Sequence, residues 1–141
     1  MILPVTLSVA GGAALINLWL AIRIGQVRTK EKISVGDGGN ESLIRRMRAH
    51  SNFAEFVPIV LILFGLIEMA TGTSIWLWVA GGLFLVGRIG HGIGMDGWSL
   101  GRGAGIMITM LATLALGLYA IVIPHLNPGA VEPETETVAN G

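Results

Sequence analysis

The 141-residue sequence contains no cysteine, which excludes disulfide bonds, thiolate metal ligands and a cysteine nucleophile. Charged residues are also scarce, at 13%, whereas a soluble domain carries about 25%. Nine basic and nine acidic residues cancel, so the chain has no basic excess with which to bind nucleic acid. The histidines are isolated and predict no metal site. With 52% apolar residues, the chain has too little polar surface for a water-soluble globule, and a lipid bilayer is its predicted surrounding.

Long uncharged runs predict membrane-crossing helices. Residues 1–22 carry no charge, and a helix of about 20 apolar residues crosses the hydrocarbon layer of a bilayer. No basic residue precedes this run, so we expect a retained anchor and not a cleaved signal. Only twelve uncharged residues separate Glu55 from Glu68, and as a helix they would cover about 18 Å, which is too short to cross. The second helix is therefore expected to carry Glu55 into or against the membrane.

These runs predict an all-α integral membrane protein, a bundle of four transmembrane helices in one domain over residues 1–126. The helices are expected at about 3–26, 48–70, 74–95 and 102–124, with a tight turn between the second and the third. Residues 127–141 are acidic, contain proline and have few large apolar side chains, so they predict a disordered tail.

The basic residues predict the orientation of the chain. All nine lie in or beside two connections, residues 27–47 and 95–102, which share one side of a four-helix bundle. The positive-inside rule places these connections in the cytoplasm and both termini on the other side. A short chain without sorting signals further favours the plasma (inner) membrane of a bacterium.

Polar side chains recur at helical spacing near the predicted cytoplasmic ends of three helices. On the second helix, spacings of three, four and three place one stripe of residues on a single face: Arg45, Arg48, Asn52 and Glu55. The third helix ends with Arg88, His91 and Met95 at the same kind of spacing, and the fourth begins with Arg102. We expect these three stripes to converge at the cytoplasmic end of the bundle.

The same residues also allow a purely structural interpretation. Basic side chains at helix ends commonly reach to lipid headgroups, and this interpretation is favoured for Arg45, Arg46 and Lys30. Glu55 differs, because an acid at membrane depth is costly unless it is paired, and such residues mark ligand or ion paths. From spacing alone, a ligand role and an ion pair with Arg48 or with an arginine of the third helix are equally well supported.

Four segments of the sequence together resemble one family of membrane proteins. They are GQVR at 25–28, RAHSNFAEFVP at 48–58, LVGRIGH at 85–91, and Arg102 with Gly105 at the start of the fourth helix. Each segment is weak evidence alone, but the four occur in order on matching spans, and the resemblance extends over nearly the whole chain. The sequence is similar to the membrane-associated proteins in eicosanoid and glutathione metabolism, the MAPEG family.

The resemblance implies a homotrimer that binds glutathione between neighbouring subunits near the cytoplasmic face. A lipophilic small molecule would be the second ligand. The peptide part of glutathione would be held by Arg48, Asn52 and Glu55. The supporting residues would be Arg28, Arg88 and His91. The catalytic residue, which faces the thiol, would be Arg102.

The chemistry of glutathione suits these residue types. Its carboxylates match guanidinium groups and its ammonium matches a carboxylate, and the stripe with Arg48 and Glu55 offers both. A free thiol has a pKa of about 8.5, and an arginine at a helix N-terminus favours the nucleophilic thiolate. The expected function is therefore a glutathione-dependent transferase or peroxidase acting on lipophilic electrophiles.

Two departures from the family pattern leave other functions open. Eicosanoid-forming members carry tyrosine where this chain has Met95, and a prostaglandin-forming relative has serine where it has Gly103. Because these hydroxyls are missing, a non-catalytic lipid-binding or scaffold protein of the same family is the alternative. A small proton-coupled exporter that uses Glu55 also fits four spans, although its carboxylate would belong near the bilayer midplane.

Overall fold

The computed structural model describes residues 1–126, which form four consecutive α-helices. They are α1 (Pro4–Glu31), α2 (Glu41–Thr71), α3 (Ile75–Gly94) and α4 (Ser99–Leu126). Each helix is long and apolar enough to span a membrane, and no strand occurs in this part of the chain. The predicted class, an all-α integral membrane protein built as a four-helix bundle, is confirmed. The acidic tail expected at 127–141 lies outside the described residues.

The two helices that flank the first connection are longer than predicted. α1 continues to Glu31, beyond the expected end near residue 26, and stops where Lys32 adopts a left-handed conformation with φ 56°. α2 begins at Glu41 and not at residue 48, because the side chain of Asn40 caps the amide of Leu43 at 3.0 Å. Uncharged runs identify only the part of a helix that crosses hydrocarbon, whereas backbone hydrogen bonding continues into the aqueous boundary.

The helices pack as a rhombus with α2 and α3 on its short diagonal. α1 and α4 each pack against both of these helices, but they do not pack against each other. Most of the core comes from α1, α2 and α3, with Phe64 and Phe84 fully enclosed. α3 and α4 approach closely, because a Cβ on Gly105 would lie 2.5 Å from the carbonyl oxygen of Gly87. Small residues therefore allow two backbones to pack directly, as in many membrane bundles.

A buried carboxylate joins the helices at the end of the bundle opposite the basic connections. α1 begins after Leu3 without a side-chain cap of its own. Glu68, which is 2% exposed near the end of α2, accepts the backbone amides of Val5 at 3.0 Å and Thr6 at 2.8 Å. It also accepts the hydroxyls of Thr6 at 2.7 Å and Thr73 at 2.8 Å. The carboxylate therefore caps α1 and ties it to the turn between α2 and α3.

Candidate functional site

A cavity of about 350 Å³ lies at the end of the bundle that carries the two basic connections. The first turns of α2 line it with Ile44, Arg48 and the ion pair of Glu41 with Arg45. Met95 lines it from the end of α3, and Arg102 lines it from α4. Its volume falls in the range of small-molecule sites, about 300–1,000 Å³. The structure thus brings Arg48 and Arg102 to one cavity, whereas the other residues predicted to bind a ligand do not line it: Arg28, Asn52, Glu55, Arg88 and His91.

Arg102 reaches this cavity because the turn between α3 and α4 is tight. Gly94 ends α3, and a Cβ at that position would collide with the backbone of Arg102. Gly97, with φ 135°, lets the chain reverse before α4 begins at Ser99. Arg102 therefore lies in the first turn of α4, where the helix dipole favours an anion.

Arg88 is buried in the interior between α2, α3 and α4. It is 1% exposed, and its Nη1 donates to Asn52 Oδ1 at 2.9 Å and to Thr109 Oγ1 at 3.2 Å. The guanidinium carbon lies 5.4 Å from the centre of the Phe53 ring. Nε and Nη2 of Arg88 and Nδ1 of the buried His91 have no hydrogen-bond partner within residues 1–126. All three atoms are enclosed by the bundle itself and are out of reach of solvent.

The arginines fall into two groups according to their partners. Those with a carboxylate within 4.0 Å are Arg23, Arg45 and Arg46. Those without one, among the residues that the structure describes, are Arg28, Arg48, Arg88 and Arg102. The second group contains every arginine that the sequence predicts to bind a ligand, so their positive charge is not neutralised by this part of the chain.

Glu55 is exposed on the surface of the single chain and forms no ion pair within residues 1–126. The alternative of an ion pair with Arg48 or Arg88 is therefore not formed within one chain. Glu55 lies on a face of α2 that continues toward the other end of the bundle with Ile59 and Ile62, both more than half exposed. An acid beside an apolar face is costly where it faces lipid alone.

Arg28 lies apart from the cavity, at the connection between α1 and α2. Its Nη1 donates to the carbonyl oxygens of Ile33 at 3.4 Å and Ser34 at 3.5 Å, and its Nη2 approaches Met47 Sδ at 3.7 Å. These contacts hold the connection against α2. Within one chain, Arg28 therefore supports the loop and is not brought beside Arg48.

A cluster of Arg23, Arg46 and Asp96 has no counterpart among the sequence predictions. Arg23 is 9% exposed, pairs with Asp96 and donates to the carbonyl oxygen of Gly92 at 2.8 Å. Arg46, expected to reach lipid headgroups, instead contacts the Asp96 carboxylate at 3.3 Å. Asp96 is the only acid in the 95–102 connection, which makes it a candidate ion-pair partner, but the sequence does not indicate which arginines it contacts.

Four helices that are long and apolar enough to span a membrane define an integral membrane protein, and a cavity lined by three arginines and Glu41 lies at one end of its bundle. The model of the MAPEG family matches residues 6–122, and the chain belongs to this family. The resemblance predicted from four sequence segments is thereby confirmed.

Two curated proteins are similar to the chain over part of its length. It is 30% identical over 80 residues to the inner membrane protein YecN of Escherichia coli strain K12. The YecN protein of Escherichia coli O6:H1 matches to the same extent. The similarity spans 56% of this chain and 60% of the length of each relative.

Proposed function

We propose that this protein is a glutathione-dependent transferase or peroxidase that acts on lipophilic electrophiles at the cytoplasmic edge of the bilayer. The observation that carries the proposal is the cavity shared by Arg48 and Arg102, which have no acidic partner within residues 1–126. Two such guanidinium groups attract a ligand with more than one negative charge. Glutathione has two carboxylates and an ionisable thiol, and it matches this requirement.

Arg102 is the residue proposed to face the sulfur. Its guanidinium and the N-terminal dipole of α4 both favour a negative charge in the cavity. A cation beside a thiol lowers the thiol pKa below its usual value of about 8.5, so more thiolate is present at neutral pH. Glutathione supplies the nucleophilic sulfur for addition to an apolar electrophile, and Arg102 stabilises its charge before the transfer.

Arg48 is proposed to hold the peptide part of the ligand together with Asn52 and Glu55, with Arg28, Arg88 and His91 in support. Arg48 offers a fork of donors to a carboxylate at the cavity wall. Arg88 is enclosed and donates to Asn52 at 2.9 Å, so its proposed support acts through Asn52. These residue types fit a ligand that is rich in carboxylate and amide oxygens.

The chain is further proposed to act as a homotrimer with glutathione between subunits. The support comes from Glu55, an exposed acid on an otherwise apolar stretch of α2. A neighbouring subunit and the ammonium of glutathione would together remove Glu55 from lipid and compensate its charge.

We place the protein in the inner membrane of a bacterium, with residues 27–47 and 95–102 in the cytoplasm. The support is the family, the four spanning helices, and the name of YecN, which describes that relative as an inner membrane protein. A lipophilic substrate would then reach the site from the bilayer, whereas glutathione would arrive from the cytoplasm.

Isothermal titration of the detergent-solubilised protein with glutathione tests the proposal. Wild type should bind saturably, and Arg48→Ala or Arg102→Ala should weaken binding roughly ten- to hundredfold, because a hydrogen bond to a charged group contributes about 1.5–3 kcal/mol. Lys30→Ala is the matched control, since it removes one exposed positive charge on the same side of the bundle but away from the cavity. Equal affinities for all four proteins would contradict the proposal.

Conjugation of glutathione to a reactive aryl halide separates catalysis from binding. Arg102→Ala should reduce kcat at saturating glutathione, because the charge that stabilises the thiolate is lost. The alternative, a non-catalytic lipid-binding or scaffold protein, is favoured by Met95, which lines the cavity with no hydroxyl to offer. That alternative predicts background conjugation rates in wild type and Arg102→Ala alike.

A further inference from the structure

Asp96 joins three parts of the bundle through one carboxylate. It lies in the α3–α4 turn and is approached by Arg23 from α1 and by Arg46 from α2. Arg23 pairs with Oδ2, whereas Arg46 directs Nε to Oδ1 and Nη2 to Oδ2, both at 3.3 Å. Guanidinium groups therefore engage both carboxylate oxygens, and Arg46 does so as a two-point fork.

Further contacts hold the two arginines in place. Arg23 donates to the carbonyl oxygen of Gly92 at 2.8 Å, and its guanidinium carbon lies 4.6 Å from the centre of the Trp19 ring. Arg46 Nη1 donates to the carbonyl oxygen of Arg23 at 2.9 Å. The side chains of Arg23 and Arg46 are only 11% and 22% exposed, whereas the Asp96 side chain that they share is 35% exposed.

The turn that this cluster holds forms one wall of the cavity. Met95 and Gly97 flank Asp96 in the sequence, and both line the cavity together with Arg102. The opposite wall is formed by α2, on which Arg48 follows Arg46 by two residues. The Asp96 carboxylate thus connects the part of α2 that bears Arg48 to the loop between α3 and α4, which precedes Arg102.

From this geometry we propose that Arg23, Arg46 and Asp96 are positioning residues that set the separation of Arg48 and Arg102. The consequence for thiol ionisation rests on the proposed function, whereas the separation itself is a property of the protein alone. The three residues line no part of this cavity, so they act through the turn and not by touching a ligand there.

A distance measurement without any ligand tests the positioning role. The chain has no cysteine, so Ser42→Cys and Ser99→Cys allow spin labels to be attached at the starts of α2 and α4 alone. Labelled protein is diluted into unlabelled protein, so that pulsed electron paramagnetic resonance reports the distance within one chain. In the Asp96→Asn background the distance distribution should become roughly twofold broader, because the turn loses its anchor.

Two further backgrounds make the measurement decisive. Arg46→Gln keeps the pair of Arg23 with Asp96, so it should fold normally and broaden the distribution to a smaller extent. Glu31→Gln is the control, since it removes an acid on the same side of the bundle whose contact is Lys30 at 3.9 Å. Distributions as narrow as that of wild type in both Asp96→Asn and Arg46→Gln would overturn the proposal.

The ionisation of bound glutathione tests the functional consequence separately. The ultraviolet absorbance of the thiolate, followed against pH, should show a higher midpoint in Asp96→Asn than in wild type or Glu31→Gln, because Arg102 is no longer held beside the sulfur. Loss of the Asp96 charge alone would lower the midpoint, so an upward shift reports the position of Arg102 and a downward shift would overturn the link. Identical midpoints in all three would overturn the link between the cluster and the thiol. A wild-type protein that binds no glutathione would instead remove the proposed function and leave the distance measurement to decide the positioning role.

Discussion

Glu68 accepts the backbone amide of Thr6 at 2.8 Å, which joins the end of α2 to the beginning of α1. The first amides of a helix lack partners within the helix, and Leu3 provides no side-chain cap. Glu68, which is distant in sequence, therefore accepts the hydrogen bonds that a Ser, Thr, Asp or Asn side chain at the N-cap usually accepts. This relationship makes Glu68 a determinant of stability at the end of the bundle far from the cavity.

Glu68→Gln is expected to destabilise the protein by roughly 1–3 kcal/mol, because an amide cannot accept all four of the hydrogen bonds that the carboxylate accepts. The free energy of unfolding in mixed detergent micelles measures the effect. Glu31→Gln, at an exposed position, should stay within about 0.5 kcal/mol of wild type. Equal losses in the two variants would show that the buried cap contributes nothing specific.

Gly105→Ala is expected to lower the thermal unfolding midpoint. Its Cβ would lie 2.5 Å from the carbonyl oxygen of Gly87 and 2.6 Å from the Cβ of His91, so α3 and α4 must separate at a cost of about 1–3 kcal/mol. Gly103→Ala, on the same helix, meets no atom within 4 Å and should be neutral or slightly stabilising, since alanine favours helix over glycine by about 1 kcal/mol. The opposite order of midpoints would contradict this packing.

Thr109→Val is expected to cost roughly 1–3 kcal/mol, because it removes an acceptor from the buried guanidinium of Arg88. Thr113→Val is the matched control. Both hydroxyls donate to the carbonyl oxygen four residues earlier at 2.8 Å, but only that of Thr109 also accepts from Arg88. A difference in unfolding free energy between the variants therefore isolates the arginine contact.

The proposed orientation predicts which single cysteines react with a membrane-impermeant maleimide. Asp37→Cys, in the connection between α1 and α2, should be labelled in inside-out vesicles and protected in right-side-out vesicles. Ile75→Cys, at the exposed start of α3, should show the reverse pattern. Labelling of Asp37→Cys from outside intact cells would invert the topology.

The sequence was sufficient for the helices and for part of the site. Uncharged runs identify spans reliably, because hydrocarbon excludes charge over a fixed thickness. Helical spacing was also sufficient to bring Arg48 and Arg102 together, since both lie near helix ends on the same side of the bundle. The ends of α1 and α2 were predicted too short, because charged residues outside the hydrocarbon layer remain helical when a cap such as Asn40 is available.

Contacts between helices distant in sequence could not be predicted in the same way. Glu68 gave no local sign that its partner is the first turn of α1, because the pairing depends on how α1 and α2 are placed in space. Arg23 and Asp96 are 73 residues apart, and no spacing rule relates them. For Glu55 the sequence suggested a contact that the structure lacks. Its spacing allowed an ion pair with Arg48 or Arg88, and neither pair forms within residues 1–126.

The rhombic packing of the helices limits how far a local change can spread. α1 and α4 occupy opposite corners and share no contact, so a disturbance in one reaches the other only through α2 and α3. Substitutions confined to the outer faces of α1 and α4 should therefore be additive in unfolding free energy to within about 0.3–0.5 kcal/mol. The outer faces of the two corner helices can consequently vary independently in sequence, whereas Arg23 of α1 is bound to the α3–α4 turn and Arg102 of α4 to the cavity.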